Sequence, residues 1–317
     1  MPNNLTLLDI AKINGAENGF AELLDEAARV VPEINGLTYR GLEAVQVPGV
    51  GDSRTIKGTQ YRTLIRTALP TAQFRDANAG VTPSASVYEN RLVETFLADS
   101  VWTADKAVAD ASEDGAAATL AGEAEAIITA NLMMLGKQFY YGRTTTLATA
   151  DSKGHPGLID SVDSSLVVDA TGSTASTGSS VWGVRWGAND VRWVFGNNAP
   201  FVLPDPRIQL LADPNDSTKF YTGYVQNWTL WAGVQVKNKF SVGQIKNLTA
   251  QAGKGLTDAL LGSLLAKYPV GKGPHCFFAS KRSIEQLRAS RTATNPTGAP
   301  APTPVDFEGI PIIATDS

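Results

Sequence analysis

One stretch limits the folds open to this chain more than any other. After Gly115, "AAATLAGEAEAIITANLMMLGKQFYYG" carries Leu120, Ala124, Ile127, Ile128, Asn131, Leu135 and Phe139 on one stripe at i, i+3, i+4 spacing. The pattern predicts a helix over 116–140, roughly 35–40 Å long at 1.5 Å per residue. A rod of that length needs a long surface to lie on. Its many alanines let it pack closely against a sheet.

The sequence on either side supplies such sheets. In "SSVWGVRWGANDVRWVFG", Trp182, Val184 and Trp186 alternate with Gly183 and Arg185. After Gly-Ala-Asn-Asp, Val191, Trp193 and Phe195 alternate with Arg192 and Val194. Period-two patterning on both sides of a turn signal predicts a hairpin with one apolar face. Three tryptophans on that face either fill a β core or form a stacking platform for a sugar or base. Further on, "KFYTGYVQNWTLWAGVQVKNKFSVGQIKNL" predicts long strands. "LTDALLGSLLAKY" predicts a helix, and "CFFASKRSIEQLR" a buried strand entering an amphipathic helix. "GIPIIATD" predicts a final short strand. A hairpin, a long helix, long strands and then a small αβαβ unit in that order indicate an α+β fold.

Before the long helix, "GFAELLDEAARV" has helical spacing through Phe20, Leu23, Leu24 and Ala27, and Pro32 stops it. Residues 41–86 change to strand and turn chemistry. Tyr61, Thr63, Ile65, Thr67 and Leu69 share one face, and Arg62, Leu64 and Arg66 the other. The glycine-rich stretch Gly49–Gly58 is expected to be the tip joining this strand to an earlier extended piece. The result is a long polar hairpin that needs another surface to rest on. Residues 87–114 are expected to begin extended and turn helical near Val93.

Charge divides along this part of the chain. Between 40 and 80, six cations (Arg40, Arg54, Lys57, Arg62, Arg66, Arg75) face three anions. Between 86 and 130, nine anions, among them Glu89, Glu94 and Asp99, face only Arg91 and Lys106. Either these are ordinary solvated faces, or a basic hairpin lies on the acidic region of another subunit, where pairing sets register and partner choice. Arg54, Lys57, Arg62, Arg66, Glu89, Glu94 and Asp99 are therefore the candidate intersubunit residues.

Composition closes other routes. The net charge of −4 argues against a protein that coats nucleic acid. Charged residues make up 18%, under the roughly 25% of ordinary soluble domains, which suits a surface largely covered by other subunits. Cys276 is the only cysteine, so no internal disulfide is expected and synthesis in a reducing compartment fits. "MPNNLTLLDIAKING" is not expected to be a secretory leader, and no apolar run reaches the ~18 residues of a membrane span.

Catalytic patterns are missing too. His155 lies in a Gly/Pro turn. His275 and Cys276 are neighbours ahead of a strand, where adjacent side chains point to opposite faces. The sequence has no zinc spacing, nucleophile elbow, phosphate loop or dinucleotide fingerprint. No catalytic residue, cofactor or metal is expected, and the chain is read as a non-enzyme.

Several segments, in order, resemble the major capsid proteins of tailed bacteriophages, more narrowly the coat proteins of certain short-tailed phages with the Hong Kong 97 capsid fold. They are "RTALPTAQFRDANAGV", the long helix closing on "KQFYYG", "GHPGLIDSV", "SSVWGVRWGANDV", "WTLWAGVQVKNKFSVGQIKNL", "CFFASKRSIEQLR" and "FEGIPIIATD". The resemblance covers about residue 36 to the end. It implies an N-terminal arm at 1–40, an extended loop at 41–86 and a peripheral domain at 87–247 with its spine helix at 116–140. An axial domain is implied at 248–317. The segment order departs from the commoner one, because the long strands precede the basic-helix unit.

By resemblance, the chain assembles into hexamers and pentamers of an icosahedral virion shell in the host bacterial cytoplasm. Scaffolding, portal and decoration (cement) proteins are the implied partners, and packaged DNA is touched only loosely; no membrane is involved. Some members of the wider fold crosslink lysine to asparagine. Lys57 near the loop tip reads more simply as a solvated lysine. The alternative that the tryptophans leave open is a β-rich carbohydrate-binding or glycan-cleaving protein.

Overall fold

The computed structural model describes residues 5–14, 27, 29, 31–34, 51–144, 151–174, 178–198, 203–295 and 299–317. The expected helix at 20–27, apart from Ala27, and the extended piece before Gly49 lie outside these residues. The described part opens with α1 (Leu7–Asn14). A capping box starts this helix: Thr6 Oγ1 accepts from Asp9 N at 3.3 Å, and Asp9 Oδ2 accepts from Thr6 N at 3.1 Å. A 3-10 turn at Pro32–Ile34 and the short β1 (Ser53–Thr55) follow.

Next come β2 (Gln60–Ala68), β3 (Val87–Glu94), β4 (Phe96–Asp105), α2 (Lys106–Asp110) and the spine helix α3 (Ala116–Tyr141). The short α4 (Leu158–Ser161) leads to β5 (Val167–Asp169), β6 (Ser179–Val184) and β7 (Val191–Phe195). Then β8 (Arg207–Ala212), β9 (Phe220–Val236) and β10 (Val242–Leu248) run in sequence. The chain ends through α5 (Asp258–Leu265), β11 (Cys276–Ala279), α6 (Lys281–Ala293), β12 (Asp306–Phe307) and β13 (Ile310–Ala314).

The strands form two sheets and a separate ribbon. A five-stranded sheet has the order β1-β7-β9-β4, with β8 also pairing β9. Its backbone is β9, whose 17 residues reach β4, β7 and β8. A six-stranded sheet has the order β12-β13-β11-β6-β10-β5. The ribbon is β2 paired antiparallel with β3.

The spine helix packs where the two sheets meet. Leu135, Phe139 and Tyr140 join Trp182 and Val184 from one sheet, Trp193, Phe195, Trp228 and Leu230 from the other, and Trp186 from the connection between them. The Phe139 ring stacks on Trp186 (5.6 Å, 8°) and on Trp193 (5.3 Å, 28°). The helix ends at Gly142, whose φ of 55° is open mainly to glycine; a Cβ there would lie 2.2 Å from Gly157 N. The other face of the six-stranded sheet is covered by α5 and α6 through Leu261, Leu264, Ile284 and Leu287. Thr257 and Ser280 cap those helices.

Four expectations change. The hairpin predicted at 182–195 does not form: β6 enters the six-stranded sheet and β7 the five-stranded one, with only the isolated bridge Trp186–Val191 between them. Alternation assigns faces, and both strands do face the same core, but it does not choose the neighbour. Of the tip expected at Gly49–Gly58, the described residues 51–58 are instead a crossing from β1, which lies parallel beside β7, towards β2. The ribbon's connection is 69–86 and its second strand is β3. Residues 87–105 remain extended through two strands rather than turning helical near Val93, and the first helix after them begins at Lys106. Finally, the border expected at 247/248 falls within the six-stranded sheet, which takes β5, β6 and β10 from before it. By contrast, the long helix, the strands of 219–248 and the closing αβαβ unit form where the periodicity puts them.

Candidate assembly surface

The ribbon alternates between two faces. Cross-strand pairs put Tyr61, Thr63, Ile65, Glu89, Arg91 and Val93 on one, and Arg62, Leu64, Arg66, Tyr88, Asn90 and Leu92 on the other. Its base is anchored to the body of the protein. Tyr61 and Val93 pack with Ile56 and Val194. The Tyr61 hydroxyl bonds Gln235, and the Arg54 guanidinium sits 4.6 Å over the Tyr61 ring. Thr95 N donates to Thr59 O at 2.8 Å, and Arg91 Nη1 donates to Lys237 O at 3.2 Å. Nearby, Arg192 grips Asp52 Oδ2 through Nε (3.1 Å) and Nη2 (2.8 Å).

Outward from this base the ribbon is uncovered. Leu64, Tyr88 and Leu92 stand 61%, 58% and 49% exposed on one face. The 69–86 loop is exposed over 69–85 and braced internally: Thr71 N donates to Ser84 Oγ (2.8 Å), Ala79 N to Asp76 O (3.1 Å) and Arg75 Nη1 to Ala79 O (2.9 Å).

The candidate residues fall in three places. Arg62 and Arg66 flank Leu64, while Glu89 and Glu94 lie on the strand paired with theirs, opposite Ile65 and Gln60. Arg54 is folded onto Tyr61 at the base, with Lys57 exposed in the adjoining bend. Asp99 projects from β4 and accepts from Thr229 Oγ1 at 3.0 Å. The expected division into a basic hairpin and a separate acidic region therefore fails at Glu89 and Glu94. They share the ribbon with the arginines, since register brings residues 60–68 against 87–94. Even so, Arg62, Arg66, Glu89 and Glu94 take part in none of the ion pairs found among the described residues.

The possible nucleophile is enclosed. Cys276 is fully buried, its Sγ lies 3.8 Å from Val184 O, and burial pushes its thiol up to about 12. His155 is buried edge-on to Trp193 at 5.7 Å, its Nδ1 donates to Pro156 O at 2.9 Å, and burial pushes it down to about 4. The tryptophans of the 182–193 stretch offer no platform: Trp182, Trp186 and Trp193 are all buried, as is Trp228, while Trp102 and Trp231 are half-buried on the paired strands β4 and β9. Sequence reasoning did not single out Gln138, whose buried Nε2 donates to Gly142 O, Asp151 O and His155 O and holds the loop after the spine helix. A glutamine on the edge of a helical stripe carries no sequence signal for that role.

The sequence model of the family described as "Major capsid protein GP7" matches residues 53–317. The chain belongs to this capsid family. No curated protein matches it. The structure of bacteriophage epsilon15 is similar over 99% of this chain and 95% of its own, at 18% identity and a TM-score of 0.69, which establishes the shared fold. The bacteriophage JBD30 capsid aligns over 84% of this chain and 88% of its own at 11% identity, with a TM-score of 0.46. For the capsid of phage XM1 the figures are 72%, 95%, 10% and 0.46.

This capsid protein is thus a structural subunit of an icosahedral virion shell built from copies of itself. The family does not support the glycan-binding or glycan-cleaving alternative, and the three tryptophans that suggested a platform are buried. Among the described residues no helix is long and apolar enough to cross a membrane.

Proposed function

We propose that the capsid protein joins its neighbours in hexamers and pentamers chiefly by laying the β2–β3 ribbon across an adjacent subunit. The observation that carries this reading is the exposed row Leu64, Tyr88 and Leu92 on a two-stranded ribbon with arginines on both sides of Leu64. A lone ribbon of this kind is marginal in water, and a neighbour's surface would cover its apolar row. Arg62 and Arg66 then meet acidic side chains of the neighbour, and Glu89 and Glu94 select against the wrong register. Arg54 and Lys57 lie at the root of the same contact.

On the Hong Kong 97 pattern the extended loop is the ribbon with 69–86, shifted from the expected 41–86, and residues 1–40 form the arm. The five-stranded sheet with α3 is the peripheral domain, and the six-stranded sheet with α5 and α6 the axial one. The shell encloses DNA and does no chemistry. It is assembled in the host cytoplasm, with scaffolding, portal and decoration proteins as further partners.

The test is assembly of the full chain followed by electron microscopy. Leu64→Asp with Leu92→Asp should leave a folded subunit, judged by circular dichroism, and abolish shells. Arg62→Glu with Arg66→Glu should weaken assembly most at low salt, where the Debye length is longest. Normal shells from both variants would overturn the reading.

A further inference from the structure

A cavity of about 380 Å³ opens between the spine helix and the start of β4. Phe96, Ala98, Met134, Leu135 and Ala232 give it apolar walls, and His155 lines its inner side. Asp99, Asp151 and Lys153 add charge to its lining. None of these three charged side chains takes part in an ion pair found among the described residues. Apolar walls with a few placed polar groups are the usual make-up of a site that receives a large side chain.

The same chain carries a side chain suited to it. Phe74, in the braced 69–86 loop, is fully exposed, so it does not occupy the cavity of its own chain. An aromatic ring held in water on an internally bonded loop loses little conformational freedom when it docks. A few anchors seated in well-packed pockets carry most of an interface's binding energy, and a pre-ordered anchor costs less to immobilise. The residues after it are Arg75 and Asp76, and charges of both signs answer them at the cavity: Asp99 and Asp151 for the arginine, Lys153 for the aspartate.

We propose that Phe74 of one copy seats in the α3–β4 cavity of a neighbouring copy, with Arg75 and Asp76 paired to the charges that line it. The inference rests on the reading that the ribbon reaches across a neighbour, and it names where the ribbon's tip is anchored. The contact is directional: each copy gives a ring and receives one, which propagates around a capsomer or between capsomers.

Three full-length variants test it. Phe74→Ala removes an exposed side chain, so the subunit stays folded. The subunit concentration needed for shells should rise about tenfold or more, as for loss of an interface anchor. Ala98→Phe fills the cavity from inside and should give the same defect with circular dichroism unchanged. Asp76→Cys combined with Lys153→Cys leaves Phe74 in place. In assembled shells a short bismaleimide should then link copies into a ladder on a denaturing gel, and neither single cysteine variant should do so.

Wild-type assembly by Phe74→Ala, or shells of the cysteine pair with no link between copies, overturns the inference. A link within one chain or to another protein also overturns it. If Leu64→Asp with Leu92→Asp abolishes shells while Phe74→Ala does not, the ribbon reading stands and only the anchor falls. If Phe74→Ala, Leu64→Asp with Leu92→Asp, and Arg62→Glu with Arg66→Glu all assemble normally, the ribbon reading falls as well.

Discussion

The β2–β3 ribbon and the seam between the two sheets are built from the same kind of sequence and meet opposite fates. In both, large apolar residues alternate with polar or small ones. At the seam, Trp182, Trp186, Trp193 and Phe195 are buried against Phe139 and Tyr140 of the spine helix. In the ribbon, Leu64, Tyr88 and Leu92 remain in water. The seam has a third element to close over it, and the ribbon has only itself. The comparison separates what a shell subunit completes alone from what it leaves for a neighbour to complete.

The largest effect expected on the subunit comes from breaking the seam. Phe139→Ala removes the ring stacked on Trp186 and Trp193, and should cost about 3–5 kcal/mol of stability in denaturant titration. Leu64→Ala is the matching change in the ribbon. It should move subunit stability by no more than about 0.5 kcal/mol while impairing shell formation. Equal losses of subunit stability from the two substitutions would erase the contrast.

The next prediction sharpens the seam by pH. Glu33, in the 3-10 turn beside the spine helix, is fully buried. Trp193 Nε1 donates to its backbone O at 2.9 Å, and its carboxyl accepts from Thr315 Oγ1 at 3.2 Å. Burial pushes that carboxyl up from 4.5 to about 7. Its contribution to stability is therefore fully present below pH 4.5 and lost as pH rises to 7. His155, pushed down from 6.5 to about 4, has the opposite dependence: its contribution is present above 6.5 and lost as pH falls to 4. Between 4.5 and 6.5 the two slopes oppose each other and should nearly cancel in the wild-type subunit.

Glu33→Gln removes one of those slopes. The variant's stability should climb from pH 4 to 6.5 and then stay level, exceeding wild type above pH 7 by about 3 kcal/mol. Denaturation midpoints measured across that range decide it. Parallel curves for the two proteins would mean that Glu33 is charged in the fold.

A smaller effect is expected from Arg66→Ala in the exposed half of the ribbon. Subunit stability should stay within about 0.5 kcal/mol of wild type. Assembly should weaken modestly at low salt and recover its wild-type level as salt is raised, because a partly solvated pair is worth only about 0.2–1 kcal/mol. Light scattering against ionic strength reads this directly.

Of the candidate site, the charged residues of the ribbon were legible, because Arg62 and Arg66 share a face by parity alone. The anchor Phe74 was not, since an isolated phenylalanine in a loop looks the same whether it is bound for a core or an interface. The fold divides in the same way. By itself the sequence determined the spine helix, the faces of β6 and β7, the long β9 and the closing α5-β11-α6-β13 unit. Each of these follows from periodicity within one segment, where a residue's neighbours along the chain set which side meets the core. Only the tertiary structure decided that β2 pairs forward with β3, that β6 and β7 part into different sheets, and that β5, β6 and β10 complete a sheet with β11 and β13. Strand pairing joins residues tens to hundreds of positions apart through backbone hydrogen bonds that every sequence offers alike. The choice among partners is therefore made by which arrangement buries the most apolar surface around the spine helix at once.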